Sequence, residues 1–388
     1  MLYIPNMSPK DETQFYNPHR FRKDSIPFIE FKLSRFTLPK APFRYFFQLV
    51  QFCFNSWRLK RVLKRFQPDG VIIGSHLGGI YIRLIQMLCS EMKIPILSIC
   101  LTWDIVTSRT INNTPIQRWL PLPKTAKKVL RWQTYNKYMR NHLFLVTGYL
   151  MKQHLIRIGV KQEQITVTGN PVHDETYEYL NRRRVISQNI GLKKEKYIVF
   201  LTEIIHEIFG IDYLKNLAKI LKDILDKLSP DIRVIIKFHP RETPETKNIF
   251  RKELCGHRFE YFENIDLISL LYGAQICIGH YTRALEISFI VGTPVLAINF
   301  SGNEIYSIYN RDDNIMSANK SENVMVATTS EELEQKLIDF FSDEHFRQKA
   351  ESVREKWLED NIYAIDGQNT NRVVDTILAH IDNFRRKR

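Results

Sequence analysis

Short apolar runs alternate with longer amphipathic segments along most of the chain. Runs such as VIIG (71–74) and VIIKF (234–238) are rich in β-branched residues and have the length of buried strands. The segments between such runs place apolar residues three and four positions apart, which is helical spacing. Strands that alternate with helices predict parallel sheets covered by helices, and therefore an α/β fold.

The alternation occurs in two series, separated by a polar segment at 182–196 that predicts a linker. We predict two Rossmann-like domains that face each other across a cleft, as in the GT-B arrangement. The N-terminal domain would span 1–185 and the C-terminal domain 186–355, with C-terminal helices at 356–388 that can cross back to the first domain. The predicted strands are 69–74, 95–101, 142–148 and 164–171 in the first series, and 197–202, 232–238, 259–263, 275–279 and 294–300 in the second.

The N-terminal part of the chain has a different character. Residues 1–40 are rich in proline and predict irregular structure, whereas 43–66 predicts a helix that is aromatic first and basic last. One interpretation is that the aromatic rings of this helix pack into the core while the aliphatic parts of its Lys and Arg side chains lie over the surface. The other is that the helix lies on an anionic membrane surface. No apolar run reaches the length of a signal-peptide core or of a membrane span, so we predict neither.

The charge and the cysteine content restrict the classes of partner and the cellular compartment that we expect for this protein. Of 388 residues, 56 are Lys or Arg and 42 are Asp or Glu, which gives a formal charge of +14 and favours anionic partners. Five scattered cysteines without a CxxC pair argue against a zinc site and a disulfide framework. The expected location is the cytoplasm, with the inner face of the membrane as an option.

The residues that follow the predicted strands carry the main chemical signal. Each strong strand is followed by Gly, His, Asp, Arg or small polar residues. Ligands bind outside the carboxyl ends of parallel strands, so we expect these residues to line one rim. The segments are GSHLGG (74–79), TWDIVTSR (102–109), GNPVHD (169–174), HPRE (239–242), HYTR (280–283) and SGNE (301–304).

The segment HPRE gives a rigid corner with two phosphate-binding side chains. Pro240 ends the strand, and it holds His239 and Arg241 just beyond it. Arg241 can fork onto phosphate oxygens, and His239 can donate to a phosphate or transfer a proton. Lys237 lies at the same strand end. A plain surface turn after an edge strand explains the segment equally well.

The segment HYTR predicts a helix start that can bind a diphosphate. Tyr281 or Thr282 stands at the N-cap position, with Arg283 beside it. Glu286, one turn later, can accept hydrogen bonds from ribose hydroxyls. An ordinary capped helix is the alternative. The predicted donor-binding set is completed by His280, Gly302 and Asn303.

Two residues of the first series are candidate general bases. His76 in GSHLGG can accept a proton from an acceptor hydroxyl, and Asp104 is the other candidate. Trp103 can stack on a sugar. A solvated turn histidine, a helix-capping aspartate and a core tryptophan are the structural alternatives. The predicted acceptor-binding set is completed by Ser75, Gly78, Gly79, Arg109 and His173.

Six segments in the same order resemble the signature segments of bacterial capsule-polysaccharide glycosyltransferases of GT-B fold. The segments are GSHLGG, LTWDIVTSR, ITVTGNPVHD, IKFHPRE, IGHYTRALEISFIVGTPVLAI and DGQNTNRVVDTI, within about residues 65–380. Polysialyltransferases and CDP-glycerol glycerophosphotransferases share the His-Pro element. The resemblance implies metal-independent, cofactor-free transfer, with donor phosphate at His239, the helix start at Tyr281 and Thr282, and ribose at Glu286.

We therefore predict a glycosyltransferase that moves a sugar from a nucleotide sugar to a surface-glycan or lipid-linked acceptor. His76, Asp104 and His239 are its predicted catalytic residues, and no nucleic acid partner is expected. One alternative is a CDP-glycerol or CDP-ribitol phosphotransferase. Another is a non-hydrolysing UDP-GlcNAc 2-epimerase, which shares the fold but whose expected acidic residues are not evident. The last is a non-catalytic basic α/β module, for which no RRM, KH or HTH signature is present.

Overall fold

The computed structural model describes thirteen segments of the chain. They are residues 2–3, 29–30, 44–73, 80–100, 142–157, 160–181, 196–202, 210–240, 242–254, 259–262, 265–280, 283–300 and 325–386.

Strands and helices alternate through these segments as the hydrophobic pattern predicts. The strands are β1 (Leu2–Tyr3), β2 (Ile29–Glu30), β3 (Val71–Ile73), β4 (Ile96–Cys100), β5 (His142–Val146), β6 (Ile165–Val167), β7 (Lys196–Leu201), β8 (Ile232–Lys237), β9 (Phe259–Phe262), β10 (Ile276–Gly279), β11 (Val295–Ile298) and β12 (Val326–Ala327). The helices are α1 (Arg44–Phe66), α2 (Ile80–Glu91), α3 (Tyr149–Arg157), α4 (Val172–Asn181), α5 (Ile211–Lys227), α6 (Pro244–Glu253), α7 (Leu267–Tyr272), α8 (Arg283–Val291), α9 (Ser330–Ser342), α10 (Glu344–Asn361) and α11 (Asn369–Arg386).

The strands form two main parallel sheets, and the predicted α/β fold with Rossmann-like halves is confirmed. One sheet has the order β3-β4-β5-β6, and the other has the order β12-β11-β10-β7-β8-β9. The β7–β8, β8–β9, β7–β10, β10–β11, β11–β12 and β3–β4 pairs are all parallel. Counted from its first strand, the six-stranded sheet has the strand order of a Rossmann domain. A short pair, β1 with β2, is separate from both sheets.

The six-stranded sheet is covered by strongly amphipathic helices. In α5, Leu214, Leu217, Leu221 and Leu225 lie three or four residues apart and are buried in one cluster with the strands. Residues of β10 and β11 are buried along their whole length, as expected for central strands with helices on both faces. Burial of this apolar surface, about 25 cal/mol for each Å², is the main term that stabilises the sheet.

The four-stranded sheet has its own smaller core. Leu59 and Leu63 of α1 pack with Ile85 and Leu88 of α2 and with Ile96 of β4. The predicted helix at 43–66 is therefore confirmed, and one side of it is core.

The chain divides into two compact units. One consists of residues 1–144 and 377–388, and the other of residues 145–376. The boundaries at 185 and 355 that the sequence suggested for Rossmann-like domains stay a prediction.

Candidate functional site

The carboxyl ends of three neighbouring strands, β10, β7 and β8, lie side by side. Gly279 at the end of β10 pairs with Leu201 at the end of β7, and Leu201 pairs with Lys237 at the end of β8. From β7 the chain first builds β8 and β9 on one side, and it later builds β10, β11 and β12 on the other. The strand order therefore reverses between β7 and β10. In open α/β sheets the crevice outside this reversal binds ligands.

A histidine and a tyrosine connect the end of β10 to the start of α5 at this reversal. His280 follows β10 directly and is 0% exposed. Its Nε2 shares a 2.9 Å hydrogen bond with the hydroxyl of Tyr213, in the first turn of α5. Burial lowers the pKa of His280 to about 3, so the imidazole is neutral at physiological pH. His280 can therefore position the end of β10, but it brings no positive charge to an anion.

A glycine lets α8 pack closely against the sheet. A Cβ on Gly279 would lie 3.3 Å from a methyl group of Leu285 in α8 and 3.4 Å from Cβ of Leu201 in β7. The helix begins at Arg283, and Glu286 lies half-buried in its first turn. The first N–H groups of a helix have no partner within it, and they carry the positive end of its dipole. The end of β10 is thus followed closely by a helix start suited to an anion.

The corner after β8 is tied to the strand beside it. The backbone N–H of His239 donates to Oγ1 of Thr202, which follows β7, at 2.9 Å. The N–H of Glu242 donates to the carbonyl of His239, also at 2.9 Å. Lys237 Nζ lies 3.3 Å from the carbonyl oxygen of Phe238. These bonds hold the backbone of His239 at the edge of the sheet, and the residue is half-buried, so part of it stays reachable by a ligand.

Sequence reasoning missed a buried carboxylate at the same corner. Glu242 is only 6% exposed. Its Oε2 accepts a hydrogen bond from the hydroxyl of Thr246, while its Oε1 is buried and has no hydrogen-bond partner in the described part of the chain. Thr243, the next residue, caps α6 by accepting from the Thr246 N–H at 3.3 Å. The only sequence signal for Glu242 was its position directly after the strand-ending residues HPR, and a residue of a surface turn can have the same position.

A second cluster joins two of the segments that the sequence singled out, GNPVHD and DGQNTNR. Asp174 in the first turn of α4 accepts hydrogen bonds from the first two N–H groups of α11. Its Oδ1 lies 3.0 Å from the nitrogen of Asn369, and its Oδ2 lies 2.6 Å from that of Thr370. Although burial raises the pKa of Asp174, the hydrogen bonds from Thr370 and Asn369 outweigh it, so the pKa lies below its ordinary value.

An arginine one turn into α11 completes this cluster. Arg372 forms two hydrogen bonds of 2.9 Å with the carboxylate of Asp366, and it donates to the carbonyl of Thr168 at 3.1 Å. It also donates to Oδ1 of Asn369 at 2.5 Å and lies 5.1 Å from the ring centre of Tyr363. The hydrogen bond from Arg372 lowers the pKa of Asp366 to about 2. We call Asp174, Asp366, Asn369 and Arg372 the α4–α11 lock.

Two glycines make the lock sterically possible. Gly169 has φ +81°, and a Cβ there would overlap Oδ1 of Asn369. Gly367 has φ +72°, and its Cβ would lie 2.7 Å from the ring of Tyr177 in α4. Both positions need the left-handed backbone and the absent side chain that glycine supplies. The cluster is therefore close-packed and holds the turn after β6 against the start of α11.

His173 lies inside this turn. It is 4% exposed, its N–H donates to the carbonyl of Asn170 at 2.9 Å, and its Nε2 lies 3.4 Å from Nδ2 of the same residue. The helix α4 that carries it packs against α8, which carries Glu286. Among the residues predicted from the sequence, Lys237, His239, His280 and Glu286 come together at one edge of the six-stranded sheet, and His173 lies on a helix beside α8.

Many predicted site residues lie outside the described residues or have no described side chain. Arg283 is described as the first residue of α8, without its side chain. The residues outside are Ser75, His76, Gly78, Gly79, Trp103, Asp104, Arg109, Arg241, Tyr281, Thr282, Gly302 and Asn303.

The described part of the chain shows neither a metal-binding cluster nor a membrane-spanning helix. No group of three or more His, Cys, Asp or Glu side chains there could hold a metal ion. No helix there has both the length and the apolar character needed to cross a membrane.

Comparison with known proteins identifies similar folds and one family model. The model described as UDP-N-acetylglucosamine 2-epimerase matches residues 141–378. Among solved structures, the UDP-GlcNAc 2-epimerase of Neisseria meningitidis bound to UDP-GlcNAc has a TM-score of 0.58 and 16% identity, and the match covers 97% of this chain and 91% of that one. MnaA of S. aureus in its UDP co-structure has a TM-score of 0.56 and 15% identity, with 98% and 96% of the chains covered. Anabaena HepE in complex with UDP-glucose has a TM-score of 0.52 and 11% identity, with 97% and 91% covered. No curated protein sequence matches the chain.

Proposed function

Because a single family model matches more than half of its residues, the chain belongs to the UDP-N-acetylglucosamine 2-epimerase family, and we propose that it inverts carbon 2 of a UDP-linked N-acetylhexosamine. The observation that carries this proposal is the extent of the match, which runs from β5 to α11 and includes the whole six-stranded sheet. The likeness to solved structures supports the fold alone, since every identity quoted above is below 25%.

The predicted glycosyltransferase reaction, and the resemblance to capsule-polysaccharide transferases on which it rested, are wrong. The family match is to an epimerase, which the sequence left as an alternative to the transferase. The alditol phosphotransferase alternative and the transferase role in capsule synthesis lose their basis with it. The error has a physical reason. The quoted segments describe the sheet edge and helix starts that a nucleotide sugar requires, and such an edge serves many reactions.

The six-stranded sheet is the proposed nucleotide site. We assign the diphosphate to the start of α8, where the positive end of the helix dipole and the charge of Arg283 favour an anion, and the ribose to Glu286 one turn later. His239, held by Thr202 at the neighbouring strand end, would donate to a phosphate oxygen. The hydrogen bond between Tyr213 and His280 joins the start of α5 to the end of β10, and it would so set the width of the crevice beside them.

Inversion at carbon 2 requires a proton to leave one face of the sugar and to return on the other. No carbonyl lies beside carbon 2, so the electron pair of the broken C–H bond forms a double bond to carbon 1 and expels UDP, and return of UDP to carbon 1 with a proton on the other face completes the inversion. This chemistry needs an acceptor and a donor on opposite faces, each within hydrogen-bond reach of the carbon. His76 and Asp104 remain our candidates for these groups. An epimerase has one substrate, so the residues predicted to bind an acceptor would contact the sugar instead. These include Trp103, whose ring can stack on the hexose.

A cytoplasmic site of action is part of the proposal. Cys53, Cys89, Cys100 and Cys277 are all free thiols, which supports a reducing compartment.

Two measurements test the function. The first is the thermal midpoint of unfolding with UDP, CMP, CDP, GDP and dTDP, since a ligand that binds the folded form raises it. We expect UDP to raise the midpoint most. The second is incubation with UDP-GlcNAc, with anion-exchange separation of the products. We expect the C2 epimer to form until the two UDP-sugars reach equilibrium. A UDP response without any epimer would leave a UDP-binding protein and end the epimerase assignment.

A further inference from the structure

Helix α1 carries positive charge without any negative charge. Its sequence, RYFFQLVQFCFNSWRLKRVLKRF, contains six basic residues and no acidic residue. Four of the basic residues fall in its last two turns, which distinguishes α1 from surface helices such as α5, which carries both Asp and Lys. A surface of one sign attracts a partner of the opposite sign.

The two sides of α1 have different neighbours. Leu59 and Leu63 are buried in the core below the sheet. On the opposite side Trp57, Arg61, Lys64 and Arg65 are exposed, and they recur at helical spacing. We call these four residues the α1 basic face.

A large aromatic ring lies in the middle of this basic surface. Trp57 is 58% exposed, and the guanidinium carbon of Arg61 lies 5.6 Å from its ring centre. An exposed tryptophan is costly to leave in water, and its amphipathic ring suits the headgroup level of a membrane. The combination of exposed indole and clustered Lys and Arg is typical of helices that lie on anionic lipid surfaces.

Two acids beside α1, among the described residues, are already paired. Glu91 of α2 forms a 3.6 Å ion pair with Lys60, and Asp69, just after α1, forms a 2.7 Å ion pair with Arg385 near the end of α11. Neither carboxylate is left to neutralise Arg61, Lys64 or Arg65. The end of α11 adds positive charge beside the end of α1.

We propose that the α1 basic face docks the protein on an anionic lipid surface. A second copy of the chain is a poor occupant, because two copies of a face without acids repel each other. A nucleic acid would also meet the charge, and a base could stack on the indole. Lipid is favoured because the ring of Phe54, 41% exposed and 6.2 Å from that of Trp57, adds apolar surface to the same side of the helix. Attachment of this kind is peripheral and reversible, and it weakens as salt screens the charges. The proposal does not depend on the epimerase assignment.

Sedimentation with lipid vesicles tests the proposal. The full chain is mixed with vesicles of phosphatidylcholine and phosphatidylglycerol, or of phosphatidylcholine alone, and the bound fraction is measured at low and high salt. We expect binding only to the anionic vesicles. The triple variant R61E/K64E/R65E should bind about 100-fold more weakly, from about 1 kcal/mol for each basic residue near the surface. Trp57→Ala should weaken binding less, while leaving its salt dependence in place.

The matched control makes an equal change in net charge on two other helices. Lys219 and Lys222 of α5 and Lys252 of α6 become Glu in the variant K219E/K222E/K252E, which lowers the net charge by the same amount. This control should keep most of the vesicle binding. Equal losses in the two variants would show a response to net charge alone and would overturn the proposal.

Two further results would also overturn the proposal. One is the absence of anionic vesicle binding by the unaltered chain. The other comes from a competition experiment, in which single-stranded RNA or phosphatidylglycerol micelles displace the protein from the vesicles. If the RNA does so at a far lower concentration than the micelles, the face binds nucleic acid. If R61E/K64E/R65E unfolds at a much lower temperature than the unaltered chain, R61Q/K64Q/R65Q repeats the comparison without charge reversal. The matching control is K219Q/K222Q/K252Q, and we again expect the α1 variant to lose more vesicle binding than the control.

Discussion

Removing the carboxylate of Asp174 should destabilise the protein through the far end of the chain. In Asp174→Ala, the first two N–H groups of α11, at Asn369 and Thr370, lose the acceptors that now lie 3.0 Å and 2.6 Å away. Asn369 is fully buried, so water cannot easily replace its lost partner. The helix would start to fray where the chain returns to the turn after β6.

The size of the effect follows from the two hydrogen bonds. A hydrogen bond to a charged group contributes about 1.5–3 kcal/mol, and loss of a helix cap typically costs about 1 kcal/mol. Asp174 is half-exposed, so solvent reduces the upper figures. We expect a loss of about 2–3 kcal/mol in the free energy of unfolding, a large part of the roughly 5–15 kcal/mol of a typical domain.

Urea denaturation followed by circular dichroism measures this difference. Glu175→Ala is the matched control, because Glu175 is the adjacent, exposed carboxylate in the same turn of α4. We expect it to change the free energy by less than about 0.5 kcal/mol. If Asp174→Ala unfolds at the same urea concentration as Glu175→Ala, the lock does not stabilise the chain as described.

The pH dependence of the free energy of unfolding tests the role of Asp174 independently. The pKa of Asp174 is lower in the folded chain than in the unfolded one, because the hydrogen bonds from Thr370 and Asn369 outweigh burial. Its contribution is therefore full above the unfolded pKa of about 3.9, and it is lost as the pH falls through the folded pKa. The gap between the wild-type chain and Asp174→Ala should be constant at neutral pH and should close in acid. A gap that widens on acidification would refute the reasoning.

Three further substitutions test other parts of the structure. Gly169→Ala should destabilise the chain by at least about 2 kcal/mol more than Gly292→Ala. Both glycines have positive φ, but only at Gly169 would a Cβ overlap a residue of the α4–α11 lock, and equal unfolding midpoints would contradict this. Tyr213→Phe should raise KM for the UDP-sugar about tenfold with little loss of kcat, since it removes the hydrogen bond that sets the crevice, and an unchanged KM would remove the His280 pair from the site. His239→Ala should lower kcat/KM about 10- to 100-fold, as expected for one lost hydrogen bond to a phosphate. The thermal midpoint should stay nearly unchanged, because the backbone N–H still donates to Thr202, and a large fall in the midpoint would make His239 a structural residue instead.

Strands were easier to predict than helices in this chain. Buried runs such as 232–237 and 276–279 are apolar and β-branched, and they leave little choice of structure. The helix Pro244–Glu253 was missed because its sequence is mostly polar and buries only Thr246 and Phe250. Only the end of the helix Glu344–Asn361, from residue 356, lay within the predicted C-terminal helices. Its earlier turns were missed for a similar reason: the helix buries few residues, and its surface is held by ion pairs three and four positions apart.

The site was only partly readable from the sequence. Strand ends pointed to His239, His280 and Glu286, because chain direction alone fixes which edge they occupy. The bond between His280 and Tyr213 joins residues 67 positions apart, and no local pattern announces it. The choice between transfer and epimerisation was also unreadable, since both reactions use the same nucleotide-binding edge.

The most direct test of the account is the fate of the hydrogen on carbon 2 of UDP-GlcNAc. The reaction is run with the unaltered chain in deuterium oxide and is followed by proton NMR. The account predicts that the signal of this hydrogen disappears as the manno epimer appears, with every other sugar proton retained. Retention of the carbon 2 proton over many protein equivalents of UDP-GlcNAc, in a sample that binds UDP, would contradict it.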